Sequence, residues 1–372
     1  MASKVYFTDF SCGHSTNQFK KMMAIAKAAG IDQIDFADKY VAVKVHFGEW
    51  GNLAFLRQQY AKVLCDYIKE KGGRPFLTDC NTLYAGYRDN ALSHLDCAYM
   101  NGYNPLSTGV HTIIADGLRG TDERIIPVPC GECSKEAKIG AAIAEADIII
   151  SLTHFKGHGN AGFGGVLKNI GMGCGSKHGK MDMHSDGTPA IDKETCVGCG
   201  MCVRNCNYQG VKVVDGKAVI VEENCVGCGH CFAFCPKGAI ECKWDIAKEI
   251  MNKKMAEYCW AVLNGKPNFH ISFVKDVSPD CDCDPQNDIP IIPDLGIFAG
   301  FDPVAIDQAC ADMVNEAPVI PESKAQRKID KHQHEEGDDI FHILHPKSEW
   351  KSCLSHAEKL GIGTREYELI KM

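Results

Sequence analysis

No stretch of the chain approaches the roughly 20 consecutive apolar residues of a membrane-spanning helix. The most apolar run, residues 139–152, is broken by Glu145 and Asp147. The opening residues, MASKVYFTDF, hold no charged segment followed by an apolar one, so no signal peptide and no membrane partner are expected. Basic charge is scarce as well. The 40 Lys and Arg face 48 Asp and Glu, a net charge of -8, which argues against a nucleic-acid partner needing a basic face for phosphates. Nucleotide fingerprints are missing too. Gly162-x-Gly164-Gly165 lacks the last glycine spacing of G-x-G-x-x-G. The run from Gly175 through Gly179 and Lys180 to Met181 is one spacer short of a P-loop and lacks its Ser/Thr, so neither NAD nor ATP is indicated. Apolar residues make up 45%, which excludes disorder as the main state.

Cysteine is what the chain has in excess: 21 in 372 residues, an odd number, with Cys-x-x-Cys runs. In a chain this long that pattern points to metal binding by reduced thiols rather than to disulfides, and a cytoplasmic protein is expected.

Short β-rich runs alternate with helical patterns. Strands are expected at residues 4–8, 40–47, 75–78, 111–115, 147–152 and 268–274. Helices are expected at 19–29, 53–71, 89–100, 134–146, 245–263 and 303–314. Alternation of this kind predicts an α/β fold, a mostly parallel sheet flanked by helices and Rossmann-like in plan. The grammar breaks between residues 191 and 243, which are Cys-rich with short strands. We read 1–190 and 244–372 as two parts of one α/β domain, and 191–243 as a small α+β ferredoxin-like module inserted into it.

Within that segment one motif occurs twice. Cys196, Cys199, Cys202 and Cys206, then Cys225, Cys228, Cys231 and Cys235, each follow C-x2-C-x2-C-x3-C. This is the spacing of two-cluster [4Fe–4S] ferredoxins, in which the fourth cysteine of each run serves the other cluster. Cluster one is therefore expected on Cys196, Cys199, Cys202 and Cys235, and cluster two on Cys225, Cys228, Cys231 and Cys206. Four-cysteine zinc sites usually show two separated pairs instead. Asn207 replaces the proline that Pro236 supplies in the second copy. The segment carries six acids and six bases, a balance that suits an internal electron wire.

Residues 152–184 hold nine glycines, four histidines, four lysines and one acid. They follow a predicted strand, where an open α/β sheet places its ligand site. We read them as a loop region in which His154, Lys156, His158 and His178 act catalytically. In the same loop, Gly162, Gly164, Gly165, Lys168, Asn169 and Lys180 would hold an anionic small molecule or cofactor. Asp79, Tyr84 and Arg88 are expected to face the same crevice. Cys130, Cys133 and Cys174 lie near predicted strand ends as candidates for a third metal or redox site. Asp280-Cys281-Asp282-Cys283-Asp284 starts like a calcium loop, but Pro285 takes the glycine position and Ile291 the twelfth, so we reject it.

Several stretches together resemble the iron–sulfur family catalogued as domain of unknown function 362. They are Asn81 to Ala91, His154-Phe-Lys156-Gly157-His158, Gly162 to Asn169, the tandem cysteine motif, and Phe301-Asp302-Pro303-Val304-Ala305-Ile306-Asp307. The resemblance runs to about residue 316 and implies an α/β domain with an inserted ferredoxin module. Two functions then compete. One is an iron–sulfur oxidoreductase of anaerobic metabolism that takes electrons from a redox partner protein through two [4Fe–4S] clusters to a substrate in the α/β domain. The other is a non-catalytic ferredoxin-type carrier that docks a partner redox enzyme.

Overall fold

The computed structural model describes every residue except 1, 85, 185–188, 207, 226–229 and 243–245, with only the backbone described at 230, 233 and 242. Its centre is one eight-stranded sheet: β1 (Ser3–Asp9), β2 (Tyr40–Lys44), β3 (Arg74–Asp79), β4 (Thr112–Ile114), β5 (Ile148–His154), β6 (Asn268–Val274), β7 (Gly296–Gly300) and β8 (Tyr367–Lys371). The spatial order is β8-β1-β7-β6-β5-β2-β3-β4. All neighbours are parallel except β7, which runs antiparallel to both β1 and β6. The expected mostly parallel α/β fold is what the chain adopts.

Side chains alternate across the sheet and feed two cores. Val41, Val43, Ile148, Ile150, Ile297 and Ala299 pack on one face, with Met22 and Ile25 of α1 (Gln18–Ala28) and Tyr60 and Leu64 of α2 (Gln58–Glu70). Ala42, Ile149 and Phe298 pack on the other. There they meet α4 (Val166–Cys174), α6 (Lys248–Leu263), α7 (Pro303–Glu316) and α8 (Trp350–Lys359). Between these helices in sequence come α3 (Ala91–Met100) and α5 (Lys177–His184). Strand β5 is buried along its whole length, Ser151, Thr153 and His154 included, as a strand covered on both faces is.

Three expectations are corrected. Residues 134–146 form a strand, Glu136–Gly140, and a short helix, Ala141–Glu145, because Glu136–Gly140 pairs with Glu123–Pro127 in a hairpin. Helix α2 begins at Gln58, five residues later than expected, and Leu53 and Leu56 precede it. The stretch 152–184 is not a loop. It contains the end of β5, a hairpin of Lys156–His158 with Gly162–Gly164, and helices α4 and α5.

The Cys-rich segment leaves and re-enters the α/β body at one place, since Pro189–Ile191 pairs antiparallel with Ile240–Cys242. Between them a hairpin, Val211–Val214 with Lys217–Ile220, covers a separate small core containing Cys196, Cys202 and Cys231.

Candidate functional site

The sheet reverses its strand order between β2 and β5. From β2 the chain builds outward to β3 and β4, and from β5 the other way to β6. Ligands of open α/β sheets bind outside the carboxyl ends of the strands at such a point. A cavity of about 90 Å³ opens there, beside Lys44 at the end of β2 and Asp79 at the end of β3. Its lining includes Lys156, His158, Lys168 and Asn169 from the segment after β5.

Basic groups converge on it: Lys44, Arg88, Lys156, Lys168 and Lys180 all line the cavity. Each is held. Lys44 Nζ stands 3.0 Å from Asp79 Oδ1 and donates to Asn169 Oδ1 at 2.8 Å. Asn169 in turn donates to Thr153 Oγ1 at 2.9 Å. Burial pushes Asp79 toward its neutral form, but Lys44 and its other cationic neighbours outweigh it and keep the carboxyl below its usual range. Arg88 Nε donates to Glu49 Oε2 at 3.0 Å, and Arg88 Nη1 lies 3.0 Å from His46 Nε2. Lys156 Nζ donates to the His154 carbonyl at 2.9 Å and sits 3.1 Å from Asp282 Oδ2. Lys180 Nζ donates to the Gly175 carbonyl at 2.6 Å.

His158 lines the cavity, and its Nδ1 accepts from the backbone N–H of Ala161 at 3.0 Å. An accepting Nδ1 puts the proton on Nε2 in the neutral ring. Burial, reinforced by Lys168, holds His158 well below the usual histidine range, so it stays neutral. His184 also lines the cavity, and burial lowers it to about 4.

Of the residues expected to be catalytic or cofactor-binding, Lys156, His158, Gly164, Gly165, Lys168, Asn169 and Lys180 line the cleft, as do Asp79, Tyr84 and Arg88. Three of the expected residues do not. His154 is turned away: its Nδ1 meets Asp282 at 2.9 Å and its Nε2 meets the Lys275 carbonyl at 2.8 Å. His178 faces Glu123 Oε1 at 3.1 Å. Gly162 has a positive φ of 76° and backs onto Trp350, where a Cβ would come within 2.7 Å.

The glycines open space for protein rather than for ligand. A Cβ at Gly164 would press on Lys156 Cε and Lys168 Cδ, and one at Gly165 would collide with Asp307. Asp307 accepts from the Val166 and Leu167 N–H groups at 2.6 and 2.9 Å and so fills the N-terminus of α4.

The sequence reading missed Lys44, His46 and Cys283 in the cleft. A lysine closing a Val-rich buried strand was the available signal. Cys283 belongs to the Asp280–Asp284 run that had been weighed only for calcium.

A larger cavity of about 590 Å³ adjoins. Leu83 and Tyr84 line both cavities, and Cys235 lines the larger one. Cys235 also lines a third cavity with Cys196, Cys199 and Cys202. Sulfur atoms there accept backbone N–H bonds: Ala218 to Cys196 at 3.3 Å and Ala239 to Cys235 at 3.3 Å. Gly210 donates likewise to Cys206 at 3.2 Å. The N–H groups of Ala218 and Gly198 lower Cys196 below the usual thiol range, whereas burial raises Cys202. Of the second cysteine set, Cys228 lies outside the described residues, Cys225 and Cys206 are half-buried, and Cys231 is buried. No group of three or more His, Cys, Asp or Glu among the described residues stands close enough to hold a single metal ion. Cys130 is exposed, and Cys174 is buried, its thiol pushed up to about 12 by burial. No helix among the described residues is long and apolar enough to cross a membrane.

Fold and cleft together define an open, mostly parallel α/β protein with a basic cleft at its strand ends. The chain belongs to the family described as Domain of unknown function (DUF362), whose model matches residues 41–312. No curated protein matches it in sequence. Among solved structures, the lactate racemase apoprotein from Thermoanaerobacterium thermosaccharolyticum aligns with 99% of this chain and 82% of its own, at 10% identity and a TM-score of 0.45. A Thermotoga maritima protein aligns over 70% of this chain and 52% of its own, at 13% identity and a TM-score of 0.37.

Proposed function

We propose that the chain is a cytoplasmic iron–sulfur oxidoreductase. Two [4Fe–4S] clusters, held in residues 191–243 as an inserted ferredoxin-like module, would carry electrons from a redox partner protein to a small anionic substrate in the basic cleft. The observation that carries this reading is the placement of Cys235. It lines one cavity with Cys196, Cys199 and Cys202, the crossed ligand set the motif calls for, and it also lines the cavity that adjoins the cleft across Leu83 and Tyr84. A cubane spreads its four thiolates around its corners, and four cysteines surround this cavity.

The bound clusters would supply one-electron transfer. The chain's own residues do the rest. Backbone N–H groups of Ala218, Ala239 and Gly210 donate to cluster-binding sulfurs and would tune their potential. Lys156, Lys168, Lys180 and Arg88 would attract and orient an acidic substrate. His158, neutral with its proton on Nε2, would donate a hydrogen bond to charge developing on the substrate.

Anaerobic purification with iron, sulfide and zinc analysis and EPR of the reduced protein tests the reading. About eight iron and eight sulfide per chain are expected. Zinc without sulfide, persisting after iron reconstitution, would overturn it. The double variant Lys156→Ala/His158→Ala should keep its iron and lose the thermal stabilisation that small phosphates and carboxylates give the parent protein. Equal stabilisation of the two would remove the cleft from the proposal.

A further inference from the structure

Cys283 lines the cleft, and Cys281 is buried two residues before it. Cys281 and Cys283 lie in a turn closed by the Asp284 N–H donating to the Cys281 carbonyl at 3.0 Å. The two cysteines are separated by one residue, and each shifts the other's proton affinity. Lys168 Nζ lies 3.5 Å from Cys281 Sγ, and Cys281 is only 2% exposed. Cys283 is half-buried and lines the cavity. Tyr84, to whose hydroxyl Arg88 Nη2 donates at 3.4 Å, lines the same cavity. Asp282, between them, is tied to His154 and Lys156, which fixes the turn and leaves Lys168 to the sulfur.

We propose that Cys281 and Cys283 form a redox-active dithiol in the wall of the basic cleft, which reduces a small disulfide carrying an acidic group. The pair shares one proton. Its mutual hydrogen bond, opposed by burial and reinforced by Lys168 and Lys156, lowers Cys281 well below the usual thiol range while Cys283 keeps the proton. Burial instead outweighs every neighbour at Cys65, Cys259, Cys310 and Cys353 and raises their thiols, as in inert core residues.

The chemistry balances within the site. As the shared proton passes to Cys281, the Cys283 thiolate attacks one sulfur of R–S–S–R. A Cys283–SR bond forms, the substrate S–S bond breaks and RS⁻ leaves. The Cys281 sulfur then attacks Cys283, closing the protein disulfide as the second RS leaves with the proton. Two electrons have moved from the pair to the substrate, which departs as one thiolate and one thiol. The cleft cations steer the acidic disulfide in and stabilise the leaving thiolate.

The inference is independent of the iron–sulfur reading, because its test reads peptide mass and not metal. Full-length protein, purified anaerobically, is exposed to 3,3′-dithiodipropionate, quenched with N-ethylmaleimide and mapped by mass spectrometry. A Cys281–Cys283 disulfide should form and reopen with dithiothreitol. Cys281→Ser should trap the mixed disulfide on Cys283. Cationic cystamine should react at least about tenfold more slowly at low salt. Lys168→Met should move the pH midpoint of closure upward by roughly one unit. The proposal fails if both cysteines alkylate as free thiols throughout, if Cys281→Ser carries no adduct, or if cystamine reacts as fast. An unmoved midpoint in Lys168→Met would also overturn it.

Discussion

Lys44 and Asp79 form an ion pair in which neither side chain is more than 4% exposed. Such a pair gains little over a well-packed apolar one, but breaking it strands a buried charge. Lys44→Met should therefore cost about 3–5 kcal/mol in denaturant unfolding. The double variant Lys44→Met/Asp79→Leu should recover most of that loss, and no recovery would mean that Lys44 stabilises by packing alone. Asp282 makes a second residue-scale case, with a sign in pH. Burial works against its charge, yet His154 and Lys156 prevail and hold it below its ordinary value of 3.8. The unfolded chain then binds more protons below that value, so this stabilisation is complete above about pH 4 and drains away as pH falls further. Asp282→Asn should be less stable at pH 7 and flatter in its acid dependence, and parallel stability-against-pH curves for the two proteins would contradict this. The sequence made Lys156, His158 and Lys168 visible because charge and glycine cluster there. It hid Lys44, because only the fold brings the end of β2 to the same place. It also drew His154 and His178 into the site, because sequence spacing does not reveal which carboxylate a ring will face.

Strands β2, β5 and β6 were legible because Val- and Ile-rich runs of five to seven residues have few other uses. Helices α4 and α5 were not, because Gly171, Gly173 and Gly179 lower helix propensity and imitate a loop. What they do is packing. A Cβ at Gly171 would collide with the Met255 carbonyl of α6, and one at Gly173 would come within 2.6 Å of Lys44 Nζ. Glycine thus lets α4 lie against α6 on one side and admits Lys44 to the cleft on the other. The two positions should respond differently to alanine. Gly171→Ala meets rigid backbone and should cost about 1–3 kcal/mol or more by overpacking. Gly173→Ala meets the end of a flexible side chain, so it should cost less stability while weakening anion binding in the cleft. Thermal unfolding and a phosphate titration separate them, and equal losses in both would mean that Gly173 also faces fixed structure. Strand β7 escaped notice for a related reason: GIFAG is short and begins and ends in glycine.

At the scale of the molecule, stability is divided unequally. Two extended cores, one on each face of the sheet, hold the α/β body, and the Cys-rich segment keeps its own small core. Three of the seven fully buried members of that small core are cysteines, Cys196, Cys202 and Cys231. Apolar burial is thus thin there, and domains of this size usually need a metal or disulfide staple. Cluster binding would then be folding energy for the segment. Its ends are clamped together by the pairing of Pro189–Ile191 with Ile240–Cys242, so unfolding between them need not open the sheet. Hydrogen exchange on iron-loaded and iron-stripped protein should show residues 191–240 losing most of their protection on stripping, while β2, β5 and β6 keep theirs. On the proposed ligand sets, Cys196→Ser should lower the iron content by about half, because only cluster one would depend on it. If stripping exposed the sheet to the same degree, the segment would be an integral part of the α/β core. The separation of electron wire and substrate cleft on which the proposed function rests would then lose its structural basis.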